Sequence, residues 1–257
     1  MLDQPALFDL SGRVVVITGG NGGIGLAMAR AVAEAGASVA VWGRNEVKNA
    51  EAVATLETGG AMAWSTAVDV SEEEQVTAAM AATLERFGRV DTFVANAGLS
   101  LPGPIHTLPL EQWRAVMAVN LDGAFLCFRA AAAHMIERGG GGALVGVSST
   151  SAIHGAGGNE AYSSSKTGLL GLVRGLAVEL ARHEVRANCL MPGWTETEMT
   201  APLQSWERFM TRTIERTPAR RWGRPDDMGP AAVFLCDPTL SFHTGDCLVV
   251  DGGYTIF

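Results

Sequence analysis

The chain has 257 residues, 47% of them apolar and 18% charged, with a formal net charge of −8 at pH 7. That size and apolar content suit one α/β domain with a single large core and argue against disorder. The acidic balance disfavours a general grip on nucleic acid or anionic lipid. The start, Met1 to Arg13, carries Asp3, Gln4, Pro5 and Asp9 without the basic start of a signal peptide, and no apolar run reaches the length of a membrane span.

In chain order, Arg13–Thr18 (RVVVIT) is a β-branched run that stops at glycines, and the alanine-rich Ile24–Ala35 that follows has helical character. A second strand, Ser38–Trp42, ends at Gly43-Arg44, and a polar helix runs on to Glu57 before the Gly59-Gly60 break. The alternation continues with strand Ala63–Val68, helix Glu72–Phe87, strand Val90–Ala95, helix Leu110–Arg138 and strand Ala143–Val147. Next come helix Ala161–His183, strand Arg186–Met191, an irregular stretch 194–223, a short helix from Pro225 and strand Cys247–Val250. Strands alternating with helices predict right-handed βαβ crossovers and a doubly wound parallel sheet with helices on both faces, its ligand at the carboxyl ends of the strands. The irregular stretch exceeds ordinary loop lengths and is a candidate substrate lid.

Cys127, Cys189, Cys236 and Cys247 are scattered, with no C-x-x-C pair, and read as reduced, buried thiols of a cytoplasmic protein. His106, His134, His154, His183 and His243 form no metal motif, so no metal is expected. Basic residues are nearly all arginine, Lys48 and Lys166 being the two lysines, and Tyr162 and Tyr254 are the two tyrosines.

Two motifs carry chemistry. Thr18-Gly-Gly-Asn-Gly-Gly-Ile-Gly25 lies between the first strand and the first helix, where backbone N–H groups and the positive helix end can hold a pyrophosphate. A side chain at Gly19, Gly23 or Gly25 would block the tight turn or the approach of the phosphate; Asn21 and Ile24 share this turn. Tyr162 and Lys166 stand one helical turn apart on one face, which brings an ammonium near a phenol and favours its ionised form.

The chain resembles the short-chain dehydrogenase/reductases from about Leu10 onward, with the family's motifs in order: the T-G-x-x-x-G-x-G turn, Asp69-Val70, Asn96-Ala97-Gly98, Asn120, Ser149, Tyr162 with Lys166, and Pro192-Gly193 leading to Thr197. The resemblance implies a single NAD(P)-binding Rossmann-type domain and interconversion of a secondary alcohol and a ketone. Tyr162 would be the general acid and base, Lys166 its partner and a ribose ligand, Ser149 rather than Ser148 the hydrogen-bond donor to the substrate oxygen, and Asn120 the holder of a water that connects Lys166 to solvent. Asp69 would meet the adenine, and Asn96 would lie beneath the ribose or hold the strand ends. The backbone of Thr195, at a position often apolar in relatives, would meet the nicotinamide amide.

Cofactor choice turns on the end of the second strand, where NAD-preferring relatives carry an acidic residue. Here Gly43 stands at that place and Arg44 follows, so NADP is favoured over NAD, with Arg44 on the 2'-phosphate. His154, Asn159 and Trp194 are candidate substrate contacts, Trp194 facing either the nicotinamide pocket or the core of the lid. The Gly168, Gly171 and Gly175 face, amid Leu169, Leu172, Val173 and Leu176, implies close packing and, by resemblance, a homotetramer. The expected substrate is a small alcohol or ketone, a polyol or sugar among them. Dehydration or epimerisation on the same fold, a 3-oxoacyl thioester reductase and a non-catalytic cofactor sensor stay open; the thioester reading is disfavoured because positions that meet an acidic carrier are Gly140 and His183 here.

Overall fold

A computed structural model describes residues 7–257; the opening residues read above, 1–6, lie outside the described residues. Seven strands, β1 (Val14–Thr18), β2 (Ser38–Gly43), β3 (Ala63–Ala67), β4 (Thr92–Ala95), β5 (Gly142–Val147), β6 (Val185–Pro192) and β7 (Cys247–Val250), form one sheet in the order β3-β2-β1-β4-β5-β6-β7. Every pairing is parallel. The order reverses between β1 and β4, so the chain leaves these neighbours toward opposite faces and opens a crevice at their carboxyl ends.

Helices α1 (Gly23–Glu34), α2 (Glu46–Thr58) and α9 (Gly229–Cys236) cover one face, where Val15, Ile17, Met28, Val32, Leu56 and Leu235 pack together. On the other face lie α3 (Glu73–Phe87), α4 (Leu110–Met117), α5 (Gly123–Arg138) and α6 (Glu160–Leu180), with Val16, Met80, Phe93, Phe128, Met135 and Leu169 at the core. Burial on both faces explains why β1 reads VVVIT rather than alternating polar and apolar residues. Trp42 is fully buried in β2; its indole donates to Thr83 Oγ1 at 3.1 Å and its ring meets Phe93 edge-on.

At the amino-terminal edge of the sheet the carboxylate of Asp91 accepts from Arg89, Arg138 and Arg13 and from the Val14 backbone N–H. Burial alone would raise its pKa, but the hydrogen bonds from Arg89 and Arg138 outweigh it and hold the group below the usual carboxylate range. This network joins β1, β4 and the end of α5 at the edge opposite the crevice.

Three expectations need correction. The predicted single helix Leu110–Arg138 is interrupted by a π-helical turn over Ala118–Asp122 that separates α4 from α5. Taken as one run of 29 residues it is long and apolar enough to cross a membrane, contrary to the expectation that no segment is. In the fold its apolar positions Cys127, Phe128, Ala131 and Met135 are spent on the sheet. The stretch 194–223 is not irregular either: it holds α7 (Ala201–Gln204) and α8 (Glu207–Arg216). The two threonines and the phenylalanine of α8 have modest helical preference, and an aromatic cluster packs against the helix. Trp194 stacks on Trp222 at 5.3 Å between ring centroids, and Phe209 meets both edge-on.

Candidate active site

The crevice is a cavity of about 390 Å³ at the carboxyl ends of the strands. One wall is the turn between β1 and α1. There Gly19 and Gly23 take positive φ of 64° and 49°, and a Cβ on Gly25 would stand 2.1 Å from the Gly19 carbonyl oxygen. The first turn of α1 has no side-chain cap and no acidic residue. Its N–H groups and the helix dipole therefore favour an anion in front of them. Asn96 holds this turn from β4: its amide donates to the carbonyls of Thr18 and Gly19, while Thr18 Oγ1 accepts from the N–H groups of Asn96 and Ala97. Its geometry is that of the residue that holds the strand ends.

The opposite wall comes from the ends of β5 and β6 and from α6. Ser149 follows β5, and its hydroxyl accepts from the backbone and hydroxyl of Ser151. Ser148 is 2% exposed and donates to the Lys166 carbonyl at 2.9 Å, so the two neighbouring serines face different surroundings. Tyr162 lines the cavity from the first turn of α6. Burial raises its phenol above the ordinary tyrosine value, opposed by a hydrogen bond from the Ser149 side chain.

Lys166, 3% exposed, donates from Nζ to the Val147 carbonyl at 2.8 Å, and Nζ lies 5.6 Å from the centre of the Tyr162 ring. Burial lowers its pKa to about 8. The expectation that Lys166 would bring the phenol down is not met in the protein alone: desolvation dominates, and what opposes it at Tyr162 is Ser149.

Asn120 lies in the π-helical turn and does not line the cavity. Both hydrogens of its amide are engaged, one by the Leu99 carbonyl at 2.9 Å and one by Ser165 Oγ at 3.0 Å, and Oδ1 accepts from Leu99 N–H. It meets Lys166 only across Gly98, whose Cβ, if present, would sit 3.6 Å from Asn120 Oδ1 and 3.5 Å from Lys166 Nζ. A water role is therefore left to the second lone pair of Oδ1.

Gly19, Asn21, Gly23, Ile24, Gly25, Asn96, Ala97, Gly98, Ser149, His154, Asn159, Tyr162, Lys166, Pro192, Gly193, Trp194, Thr195 and Thr197 all line the one cavity. Arg44, Asp69 and Val70 do not. Arg44 is exposed and pairs with Asp69 at 3.6 Å. Burial would raise the Asp69 carboxyl, but hydrogen bonds from Ser71 and the charge of Arg44 hold it below its ordinary value. Val70 is buried against Gly123 at the start of α5 and serves the core.

At the far end His154 packs on the Tyr254 ring, and among the described residues His154 Nε2 and Trp194 Nε1 are buried without a hydrogen-bond partner. Both residues line the cavity. Asn159 accepts from Ser100 at 3.0 Å. Trp194 stacks on Trp222 within the 194–223 segment and also lines the cavity. Thr195 is buried, its hydroxyl donating to the Gly193 carbonyl, and the Thr197 methyl faces Gly23.

Sequence reasoning missed Asn49, Lys48 and Glu198. Asn49 accepts from Asn21 at 2.7 Å and donates to the Gly43 carbonyl at 2.8 Å, so a Cβ on Gly43 would lie 2.4 Å from Asn21 Nδ2. Any side chain at the end of β2 would have to displace the amide ends of Asn21 and Asn49. Lys48 pairs with Glu198 across the cleft. The rarity of lysine was the signal for Lys48; nothing in the local sequence announces Asn49. Among the described residues no group of three His, Cys, Asp or Glu side chains gathers to hold a metal.

Residues 19–255 match a family model described as Enoyl-(Acyl carrier protein) reductase. The gluconate 5-dehydrogenase of Gluconobacter oxydans (strain 621H) is 35% identical over 255 residues, covering 99% of each chain. The cis-4-hydroxycyclohexanecarboxylate dehydrogenase of Sinomonas cyclohexanicum is 38% identical, with 95% of this chain and 96% of that one aligned. Among solved structures, a gluconate 5-dehydrogenase from Burkholderia cenocepacia J2315 in complex with NADP and tartrate superposes with a TM-score of 0.93 at 38% identity, over 97% of this chain and 98% of that one. With its glycine turn, its Tyr162 and Lys166 helix and these full-length likenesses, the chain belongs to the short-chain dehydrogenase/reductase family and is an NAD(P)-dependent oxidoreductase that acts on CH–OH groups.

Proposed function

We propose that the protein interconverts a secondary alcohol and a ketone on a small polyhydroxylated acid or polyol, with NADP in preference to NAD. The observation that carries this reading is that Ser149, Tyr162 and Lys166 share one wall of a cavity whose other wall is a phosphate-sized glycine cradle. The turn fits a dinucleotide, since the outer side of Gly22 meets nothing within 4 Å and the uncapped first turn of α1 presents its N–H groups there. When bound, the nicotinamide gives or takes the hydride.

The chain's own residues handle the proton and the position. Ser149 holds the substrate oxygen, where negative charge develops during reduction. Tyr162 Oη gives that oxygen its proton in reduction and takes it in oxidation, for which the phenol must lose part of the pKa rise that burial imposes. The ammonium of Lys166 favours this and is held in place by the Val147 carbonyl. Asn120 fixes the Leu99 wall and, through Oδ1, faces the Lys166 side of the site.

The preference for NADP rests on Gly43, where a carboxylate is absent and the amide ends of Asn21 and Asn49 crowd the position, and on Arg44 just after it. The orphaned nitrogens of His154 and Trp194 suit a substrate with oxygen acceptors, as do the gluconate dehydrogenases among the relatives. Residues 194–223 act as the lid. Gly171 and Gly175 meet nothing within 4 Å on their outer side, and we read this face of α6 as a contact in a homotetramer. The four free thiols suit a cytoplasmic setting.

The test is a panel of polyols, aldonic acids, simple alcohols and their ketones assayed with both cofactors by the absorbance of the reduced nicotinamide. Turnover without net change in that absorbance would favour dehydration or epimerisation. Higher catalytic efficiency with NADH than with NADPH would overturn the cofactor preference, and sedimentation as a monomer would remove the tetramer.

A further inference from the structure

Only two of the chain's 19 basic residues are lysines, and both line the same cleft. Lys166 is spent on the Val147 carbonyl. Lys48 rises from the first turn of α2, where Asn45 caps its backbone N–H at 3.0 Å, and its ammonium crosses the cleft to both carboxylate oxygens of Glu198 at 2.8 and 2.7 Å. Glu198 opens the 3-10 turn Glu198–Thr200 at the base of the lid. Asn21, Gly22 and Gly23 line the cavity together with this pair, and the turn from Thr18 to Gly25 has no basic side chain of its own.

We propose that Lys48 selects the phosphorylated cofactor by exchanging Glu198 for the 2'-phosphate, with Glu198 acting as a built-in competitor. The proposal rests on the reading that this cleft takes NADP(H). The ribose beside the end of β2 carries a 2'-phosphate in NADP and a neutral hydroxyl in NAD. Gly43, which ends β2, touches the same Asn21–Asn49 pair that separates it from α2.

Both members of the ion pair are well exposed, Lys48 at 43% and Glu198 at 85%, so water screens their attraction and exchange is easy. A phosphate monoester carries about 1.5 to 2 negative charges near neutral pH and outbids a single carboxylate for one ammonium. A hydroxyl offers no charge, and Lys48 stays with Glu198. Arg44, exposed and paired with Asp69 beside β2, remains a second cation within the same region but does not line the cavity.

The test compares 2',5'-ADP with 5'-AMP, which differ only by the phosphate in question, by calorimetric titration of the wild type, Lys48→Gln and Glu198→Gln. Lys48→Gln is expected to bind 2',5'-ADP about tenfold more weakly and 5'-AMP with less than about twofold change. Glu198→Gln is expected to bind 2',5'-ADP about threefold more tightly, with 5'-AMP unaltered. Equal weakening of both ligands in Lys48→Gln, no weakening of either, or an unchanged 2',5'-ADP affinity in Glu198→Gln would overturn the proposal. A wild type that does not distinguish the two ligands would instead overturn the underlying preference for NADP.

Discussion

Asn120 and Leu99 hold one another in a reciprocal pair: Asn120 Oδ1 accepts the Leu99 N–H at 2.7 Å, and Asn120 Nδ2 donates to the Leu99 carbonyl at 2.9 Å. Asn120→Ala leaves both backbone groups and Ser165 Oγ short of a partner. We expect a loss of roughly 2–3 kcal/mol in stability and a larger loss of turnover as the Leu99–Ser100 wall drifts. Asn120→Asp keeps the acceptor but sets a carboxylate oxygen against the Leu99 carbonyl, so it should do no better. Urea unfolding together with kcat checks this, and an Asp variant as stable as the wild type would show that the pair is not what holds the loop.

The neighbouring serines should separate cleanly. Ser149→Ala and Tyr162→Phe remove groups that face the cavity, so kcat should fall by about 10²–10⁴ with little change in stability. Ser148→Ala removes a buried hydrogen bond to the Lys166 carbonyl and should cost about 1 kcal/mol while keeping most of kcat. If Ser148→Ala were the inactive variant, the assignment of the two serines would be reversed.

Lys166 also links stability to pH. Its folded-state pKa of about 8 lies below the ordinary 10.5. Below about 8 both folded and unfolded chains hold the proton, and the fold bears the full cost of the buried ammonium. Between 8 and 10.5 the unfolded chain keeps a proton that the fold has shed, so stability rises with pH relative to Lys166→Met. The difference should change by about 3 kcal/mol across that window. Denaturant unfolding of both proteins from pH 7 upward measures it, and parallel profiles would mean that Lys166 titrates normally.

Gly43→Asp, the substitution that imitates relatives preferring NAD, should fail as a switch here. The new Cβ would press on Asn21 and Asn49, which tie β2 to the glycine turn. We expect a loss of about 1–3 kcal/mol in stability and no gain in NADH efficiency. A stable variant that prefers NADH would show that the Asn21–Asn49 pair yields easily.

The sheet was legible because β1, β4 and β5 are buried on both faces and read as short, largely apolar runs; β6, equally buried, carries Arg186 and Asn188 and showed through the alternation of strands with helices. The pairing of Tyr162 and Lys166 on one helix was legible because Tyr and Lys are so rare in this chain. The π-helical turn at Asn120 was not, since its residues have ordinary helical preferences and the extra residue per turn is set by Leu99 and Ser165 from elsewhere in the fold. The helices within 194–223 were missed for a similar reason. Their order comes from Trp194, Phe209 and Trp222, which are far apart in sequence and meet only after folding. Asn49 and Glu198 are polar residues at exposed-looking positions, whose partners lie 28 and 150 residues away.

The stacked Trp194 and Trp222 rings, 5.3 Å apart and skewed by 22°, give the 194–223 segment its own optical label. Two indoles so close share their electronic excitation, and their joint circular dichroism in the near ultraviolet depends on both separation and angle. The Gly223 N–H donates to the Trp194 carbonyl, so the pair marks where the two ends of the segment meet, and any repacking there on ligand addition becomes readable in the unmodified protein without an introduced dye.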